Sequence, residues 1–357
     1  MWHGLAKEFA KRGHEVTILA RAYPGQPAHE NSDGIRILRW GGYDQGTNLR
    51  ADLLRCLWYA VRAAGKLPEG DVVVTNDFWM PVFAARRKGK SGKVVINANR
   101  FPKGQYGLYG GADLIAAASG AVAQAIETQT PKLKDKIRVL PNPADEAFLR
   151  GEGVKGLRGS GTGALTILYV GRIHPEKGLD VLLEAWERLG EMRMKMKIKT
   201  EVRLKIVGPY RKEQGGGGVE YFEALKQKAE GVEWGEPVFG PEELAKVYES
   251  GDILVYPSQA ELGEAMPLAP LEGMARGLPV VVSNLEVFKE YLEEGRNGWT
   301  FNHRESAVEN LAAVLGSALT ADLRTMGQEA RRTAERFSVQ NVASMYLEAF
   351  KDVAERK

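Results

Sequence analysis

Residues 169–180 combine two cations with the start of a helix. A candidate strand ends at Val170, Gly171 lets the backbone approach a ligand closely, and Arg172 follows at once. Lys177 then precedes a helical pattern with one apolar face. Arginine binds phosphate oxygens in pairs, lysine acts as a point charge, and a helix start adds partial positive charge. The segment therefore favours a diphosphate site, although a solvated loop is the commoner explanation for such charges alone.

A second segment, residues 256–277, places Glu264 and Glu272 eight positions apart. Pro267 and Pro270 suit the first turn of a helix, where backbone N–H groups have no partner within the helix. We therefore predict Glu264 in the loop before this helix and Glu272 inside it. The intervening N–H groups could face an anion, and the carboxylates suit the vicinal hydroxyls of a sugar and a ribose. The spacing alone fits two ordinary surface glutamates equally well.

The elements that must position these residues alternate along the chain. Short apolar runs between helical patterns predict parallel sheets covered on both faces by helices. The candidate strands are residues 16–19, 72–74, 94–96, 114–117 and 139–140, then 165–170, 204–207, 253–256 and 280–282. Residues 150–163 are rich in glycine and charge and lack periodicity, which is typical of a linker. We predict two doubly wound domains, residues 1–150 and 164–337, joined by residues 151–163.

Ligands of such sheets lie beyond the carboxyl ends of the strands. In the second domain these ends carry Gly171 and Gly208. In the first domain, polar residues after a candidate strand could make contacts with a ligand, namely Asn99, Arg100, Lys103 and Gln105. The same four residues are equally compatible with an ordinary loop.

Composition limits the classes of function. The net charge of +3 over 357 residues is too small for a general nucleic-acid binder. Cys56 is the only cysteine, so a disulfide within the chain is excluded and a reducing, cytoplasmic location is expected. No Cys/His cluster predicts a metal site. The basic loop at residues 86–93 is either a solvated turn or a contact with an anionic inner membrane surface.

Taken together, these segments resemble the retaining glycosyltransferases of family four. That family has the GT-B fold, in which two Rossmann-like domains face each other across a cleft. The resemblance covers nearly the whole chain. It rests on residues 10–20, 139–148, 169–186, 206–209, 249–258, 256–277, 275–283 and 296–301.

The resemblance implies transfer of a sugar, with retention, from a nucleoside-diphosphate sugar to a carbohydrate, lipid-linked or small-molecule acceptor, without metal or other cofactor. Arg172 and Lys177 would bind the donor diphosphate, Glu264 would contact the donor sugar near the reacting carbon, and Glu272 would hold the ribose. These first three residues would form the catalytic set. Further donor contacts would come from Gly171, Gly208, Met266, Leu268 and Ala269. The first domain would hold the acceptor, with the final helix, residues 338–357, packed back on it.

The chain departs from the family at three places. Pro267 stands where glycine is common, and no histidine follows the candidate strand at residues 94–96. The chain also begins with a helical pattern at Trp2, without the family's first strand and glycine-rich loop. This beginning predicts unpaired strand edges, from a fragment or from a rebuilt sheet. Two alternatives follow: a sugar-nucleotide epimerase or hydrolase of the same fold, and a truncated, non-catalytic nucleotide-sugar-binding protein.

Overall fold

The computed structural model describes residues 1–43, 46, 48–151, 164–196 and 201–355. The chain divides into two compact units: unit 1 is Met1–Pro143 with Val339–Lys357, and unit 2 is Ala144–Ser338. Residues 144–150, assigned above to the first domain, therefore belong to unit 2. Of the expected linker, residues 152–163 lie outside the described residues.

Unit 1 contains two sheets. The first has β1 (Val16–Ala22), β2 (His29–Ser32) and β3 (Ile35–Gly41) in the order β1-β3-β2, with β3 parallel to β1 and antiparallel to β2. The second is parallel and runs in the order β4 (Val72–Thr75), β5 (Lys93–Ala98), β6 (Leu114–Ala117) and β7 (Ile137–Val139). The helices before and between these strands are α1 (Trp2–Lys11), α2 (Leu49–Gly65), α3 (Met80–Ala85), α4 (Lys88–Ser91) and α5 (Gly120–Gln129).

Unit 2 is built on one parallel sheet. Its strands are β8 (Leu165–Val170), β9 (Val202–Val207), β10 (Val232–Gly235), β11 (Ile253–Tyr256), β12 (Val280–Ser283) and β13 (Gly298–Phe301), in the order β10-β9-β8-β11-β12-β13. Its helices are α6 (Glu146–Leu149), α7 (Leu179–Met196), α8 (Val219–Lys226), α9 (Pro241–Tyr248), α10 (Leu268–Ala275), α11 (Ala307–Ala318) and α12 (Leu323–Glu335). The strand order reverses between β8 and β11, as in doubly wound folds.

The last helix, α13 (Val339–Glu355), completes the core of unit 1. Buried residues at positions 342, 346, 349 and 353 form a stripe that packs with Leu5 and Phe9 of α1 and with residues of β5 and β6. The rings of Trp2 and Tyr346 meet edge to face with centroids 5.3 Å apart. Met345, beside Tyr346 on the same helix, lies outside this stripe and is 38% exposed.

Helix α1 covers both sheets of unit 1, because Leu5 and Phe9 join the core on β5 and β6 while Ala6 packs on Ile35 of β3. Among the described residues, β1 pairs only with β3 and β4 only with β5. Every residue of β1 is only partly buried. β1 and β4 are therefore edge strands in the part of the chain that the structure describes. No helix of the described part is both long and apolar enough to span a bilayer.

Candidate functional site

The candidate site lies where the strand order of unit 2 reverses. The loops after β8 and β11 meet there, which is the usual ligand position in doubly wound sheets. Gly171 directly follows β8 and Gly208 directly follows β9, and a Cβ atom on Gly208 would lie 1.8 Å from the Gly171 carbonyl oxygen. Any side chain at position 208 would therefore push the two strand ends apart.

A second glycine holds the β8 and β11 loops together. Gly178 has a φ of +70°, and a Cβ atom there would lie 2.1 Å from the Pro257 carbonyl oxygen. Beside it, the backbone N–H of Gln259 donates to the Glu176 carbonyl at 2.9 Å. These contacts bring the segment with Arg172 and Lys177 against the segment that carries Glu264, as the sequence pattern requires.

Lys177 and Glu264 form the centre of the site. Lys177 Nζ lies 2.5 Å from Glu264 Oε1, and the two residues are only 4% and 6% exposed. The same carboxylate oxygen accepts hydrogen bonds from Tyr256 Oη at 3.0 Å and Ser258 Oγ at 2.7 Å. Burial and the charge of Glu264 raise the pKa of Tyr256 well above its usual value, so its hydroxyl stays a donor. Glu264 is thus held rigidly by three donors.

Arg172 reaches Lys177 only through Glu176, which the sequence analysis did not single out. Glu176 Oε1 lies 2.7 Å from Arg172 Nη2 and 3.5 Å from Lys177 Nζ. Burial opposes ionisation of Glu176, but the charges of Lys177, Arg172 and His174 outweigh it, so its pKa lies below the usual value. Arg172 is exposed and also donates to the Gly215 carbonyl at 2.7 Å. Nothing in the motif distinguished this glutamate from an ordinary loop acid.

The N-terminus of α10 opens beside Glu264. Pro267 is the N-cap residue, and no side chain of the described residues caps the helix. The Pro267 carbonyl accepts a hydrogen bond from Tyr291 Oη at 3.0 Å, which fixes this turn. Leu268 and Ala269, the first two helical residues, are half-buried, and Met266 before them is buried. The predicted placement of Glu264 before the helix and Glu272 within it is confirmed.

Glu272 lies one turn into α10 and is half-buried. Its Oε2 accepts a hydrogen bond from Tyr248 Oη at 2.8 Å. Burial raises the pKa of Glu272 to about 7, with a smaller contribution from the charge of Asp145. Its carboxylate is therefore easily protonated in the absence of a ligand that favours the charged form.

A cluster behind the Glu264 loop was also missed. The His303 side chain is 4% exposed, and its Nδ1 lies 2.6 Å from Asn284 Oδ1 and its Nε2 2.9 Å from Glu261 Oε1. Arg304 Nη2 contacts both carboxylate oxygens of Glu261, Oε1 at 2.8 Å and Oε2 at 3.0 Å. Asn284 and His303 follow β12 and β13, so this cluster ties the loop to the carboxyl edge of the sheet.

The four polar candidates of unit 1 all follow β5 but differ in their hydrogen bonds and exposure. Gln105 Oε1 accepts a bond from the Lys103 backbone N–H at 2.6 Å, a local loop contact. Asn99 Oδ1 is buried and has no hydrogen-bond partner among the described residues. The Arg100 and Lys103 side chains are exposed. Asn99 therefore offers an unused acceptor at a strand end.

No group of three or more histidine, cysteine, aspartate or glutamate residues in the described part is arranged to hold a metal ion. The expected independence from metal stays a prediction.

Two family models match the chain. Residues 1–148 match the model described as Glycosyltransferase Family 4, and residues 164–320 match the one described as Glycosyl transferases group 1. The matches together span most of both units, and the chain belongs to this family of glycosyltransferases.

Curated relatives include several D-inositol 3-phosphate glycosyltransferases. The one from Nocardia farcinica is 26% identical over 97% of this chain and 82% of that protein, and the one from Streptomyces scabiei is 27% identical over 97% and 84%. The match to the Corynebacterium urealyticum enzyme is 28% identical over 68% of this chain but spans only 57% of that protein.

Solved structures show that the fold is GT-B. Sucrose-phosphate synthase from Thermosynechococcus elongatus is similar with a TM-score of 0.76 and 19% identity, over 98% of this chain and 91% of that chain. An Anabaena protein solved with UDP and glucose is similar with a TM-score of 0.69 and 16% identity, over 98% and 94%. At these identities the likeness concerns the fold.

Proposed function

We propose that this glycosyltransferase moves a sugar from a nucleoside-diphosphate donor bound in unit 2 to a carbohydrate, lipid-linked or small-molecule acceptor bound in unit 1, with retention of the anomeric configuration. The observation that carries the donor site is the buried contact of Lys177 with Glu264 beside the uncapped start of α10. A cation, a fixed carboxylate and free helix N–H groups there suit a sugar diphosphate. The Anabaena neighbour, solved with UDP and glucose, supports this ligand class.

Each residue has a role in the proposal. Lys177, Arg172 and the N–H groups of Leu268 and Ala269 would bind the diphosphate and stabilise its charge as the bond to the anomeric carbon breaks. Glu264, held by three donors, would accept a hydrogen bond from a sugar hydroxyl through its remaining lone pairs.

The ends of β8 and β9 and the ribose contact complete the donor site. Gly171 and Gly208 leave room for the nucleotide beyond these strands, with Met266 lining the sugar side. Glu272 would hold the ribose hydroxyls, for which it must be ionised.

The reaction needs one acceptor hydroxyl. Its oxygen would attack the anomeric carbon from the face that the diphosphate leaves, and its proton would pass to the departing diphosphate oxygen. Positioning of the two bound substrates and stabilisation of the negative charge on the departing diphosphate would supply the rate enhancement. On this scheme no metal is required, and addition of EDTA should leave turnover unchanged.

Unit 1 would supply the acceptor side. The unpaired Asn99 Oδ1 suits a hydroxyl, and the exposed Arg100 and Lys103 suit an anionic acceptor. We place the reaction in the cytoplasm because Cys56 is the only cysteine and its thiol is free.

The test is calorimetric binding of UDP, GDP and ADP, followed by NMR analysis of the product formed from the matching sugar nucleotide. We expect one nucleotide to bind and the product to keep the donor's anomeric configuration. Glu272→Ala should weaken nucleotide binding, whereas Glu187→Ala, an exposed glutamate on α7, should not. If none of the three nucleotides binds, the donor site is wrong; an inverted or acceptor-free product would favour the epimerase or hydrolase alternative.

A further inference from the structure

Unit 1 contains a cavity that has no part in the proposed donor site. Its volume is about 310 Å³, and it lies between α2 and the carboxyl end of β3. Four aromatic side chains line it, from Trp40, Tyr43, Trp58 and Tyr59. Ligand cavities of this size are typically aromatic, with a few polar groups that select the ligand.

The charged groups that line this cavity are all cations among the described residues. Arg55, Arg62 and Lys66 line it, and its described lining contains no carboxylate. Arg55 has an ion pair with Asp52 at 3.3 Å. Arg62 lies over the Trp58 ring at 5.7 Å and Lys66 over the Trp40 ring at 5.1 Å, and neither has an ion-pair partner among the described residues. The positive charges of Arg62 and Lys66 are therefore not neutralised by any described carboxylate, whereas Arg55 is paired with Asp52.

Trp58 is 67% exposed, although it lies in the middle of a seventeen-residue helix. Its neighbours on the outer face of α2, Leu54 and Val61, are 68% and 48% exposed. A contiguous exposed apolar stripe beside a pocket marks a place where something binds. The core face of α2, with buried Cys56 and Ala60, does not need these side chains to pack.

We propose that this cavity, hereafter the α2 pocket, binds an organic phosphate, with the phosphate held by Arg62, Lys66 and Arg55 and the carbon framework lying against Trp40 and Trp58. Arginine and lysine both bind phosphate, and aromatic faces provide a large contact area for a carbon framework. A phosphorylated sugar and the headgroup of a phospholipid share this chemistry. The interpretation of this pocket as the acceptor subsite of unit 1 rests on the proposed function. Binding of a phosphate to the pocket can be measured independently of that function.

The experiment measures tryptophan fluorescence and calorimetry of the whole chain with glucose 6-phosphate, glucose and inorganic phosphate. A parallel arm measures flotation with vesicles of phosphatidylglycerol in phosphatidylcholine and of phosphatidylcholine alone. The test variant is Arg62→Gln with Lys66→Gln. Its matched control is Lys132→Gln with Lys134→Gln, exposed lysines of the same unit that remove the same charge.

We expect wild-type chain to bind glucose 6-phosphate or the anionic vesicles, and glucose or neutral vesicles far more weakly. The Arg62→Gln/Lys66→Gln variant should lose affinity at least about tenfold because two charge-assisted contacts are removed, while the control should keep it. Trp58→Ala should weaken binding of glucose 6-phosphate but leave the weaker binding of inorganic phosphate unchanged. Binding to glucose 6-phosphate alone assigns a soluble ligand, and binding to anionic vesicles alone assigns a lipid headgroup.

The proposal is overturned if wild type binds neither phosphorylated probe, if glucose binds as well as its phosphate, or if the double variant binds like the control. UDP, GDP and ADP binding is measured on the same samples. If a nucleotide binds and neither phosphate ester does, only the proposal for the α2 pocket is excluded. If a phosphate ester binds and no nucleotide does, only the proposed donor site is excluded.

Discussion

The carboxylate of Glu176 lies between Arg172 and Lys177, the two cations that are proposed to bind the donor diphosphate. It lies 2.7 Å from Arg172 and 3.5 Å from Lys177, and their charges keep its pKa low. The site therefore holds its cations in place with an internal anion. A donor that binds through Arg172 and Lys177 must compete with this anion for both.

Removing the charge of Glu176 should strengthen nucleotide binding. Glu176→Gln keeps the side-chain size, so we expect the affinity for the bound nucleoside diphosphate to rise by a few-fold, roughly 0.5–1 kcal/mol for a partly exposed ion pair. Calorimetry at low and high salt measures it, and Glu187→Gln on α7 is the control. Weaker binding in Glu176→Gln would instead mean that Glu176 orients Arg172 for the ligand.

Replacing only one partner of the buried Lys177–Glu264 contact should strongly destabilise the fold. Lys177→Met leaves the Glu264 carboxylate buried without its cation, so we expect a loss of about 3 kcal/mol in the free energy of unfolding of unit 2. The double variant Lys177→Met/Glu264→Gln should recover most of the lost free energy of unfolding, but it should bind no nucleotide. Urea unfolding of the single and double variants measures the coupling. Additive losses would show that the two side chains do not interact.

The raised pKa of Glu272 means that the folded chain is more stable with a neutral Glu272 side chain, whereas the proposed ribose contact needs the charged form. Its folded-state value of about 7 exceeds its ordinary value of 4.5, so the folded chain binds the extra proton between these values. The contribution of Glu272 to stability is therefore greatest below pH 4.5 and is lost as the pH rises through 7.

Glu272→Gln should remove this dependence. We expect the variant to be more stable than wild type at pH 8, by about 2 kcal/mol, and equal to it near pH 5. It should also bind the nucleotide more weakly at pH 8, because a neutral amide accepts weaker hydrogen bonds from ribose hydroxyls. Melting curves from pH 5 to 8 measure the first effect. Parallel curves for both proteins would place the pKa of Glu272 near its ordinary value.

At the scale of elements, the loop from β11 to α10 carries Glu264 and is held from behind by His303. The imidazole bridges Asn284 after β12 and Glu261 in the loop. Leu262, at the tip of the loop, is 75% exposed, so little apolar packing restrains it. The polar bridge therefore attaches this tip of the loop to the sheet.

His303→Leu should free this loop without touching the ligand. We expect faster amide exchange at residues 258–264 and a fall in kcat of about tenfold with little change in nucleotide affinity, because a positioning residue acts through geometry. Arg304→Gln, which removes only the exposed contact to Glu261, is the control. Unchanged exchange and turnover in His303→Leu would show that backbone contacts alone fix the loop.

In unit 2, the sequence predicted every strand inside the sheet and missed both edge strands. The candidate strands from 165–170 to 280–282 all exist, since continuous apolar runs are typical of central parallel strands. The missed strands are β2, β3, β10 and β13, of which β2, β10 and β13 lie at sheet edges. Their sequences, such as HENS in β2 and VEWG in β10, mix polar and apolar residues because one side or edge is wet.

The sequence could predict the part of the site that depends on backbone conformation. It could not predict contacts between side chains that are distant in the sequence. Pro267 and Pro270 indicated the start of α10, and the structure has it there. The contact of Lys177 with Glu264 joins residues 87 positions apart, so only the topology brings them together. Glu176, Tyr256 and His303 carried no signal, because each residue type is common in loops and cores.

At the scale of the whole molecule, the two ends of the chain build one core. Helix α1 and helix α13 pack on each other and on β5 and β6, so unit 1 is completed only when residue 339 onward returns to it. Unit 2 is continuous, from Ala144 to Ser338, and all its residues lie between these ends. Damage to α13 should therefore affect unit 1 first.

Tyr346→Ala tests this dependence. Tyr346 is fully buried and meets the Trp2 ring, so its truncation should cost unit 1 about 3–5 kcal/mol, as for other buried aromatic side chains. Met345→Ala, at an exposed neighbouring position, should cost little. We expect calorimetry of Tyr346→Ala to show an early transition that melts unit 1, followed by the unit 2 transition, which added nucleotide still raises. A single transition lowered as a whole would mean instead that the two units unfold together, and that the donor site depends on the core that closes the opposite ends of the chain.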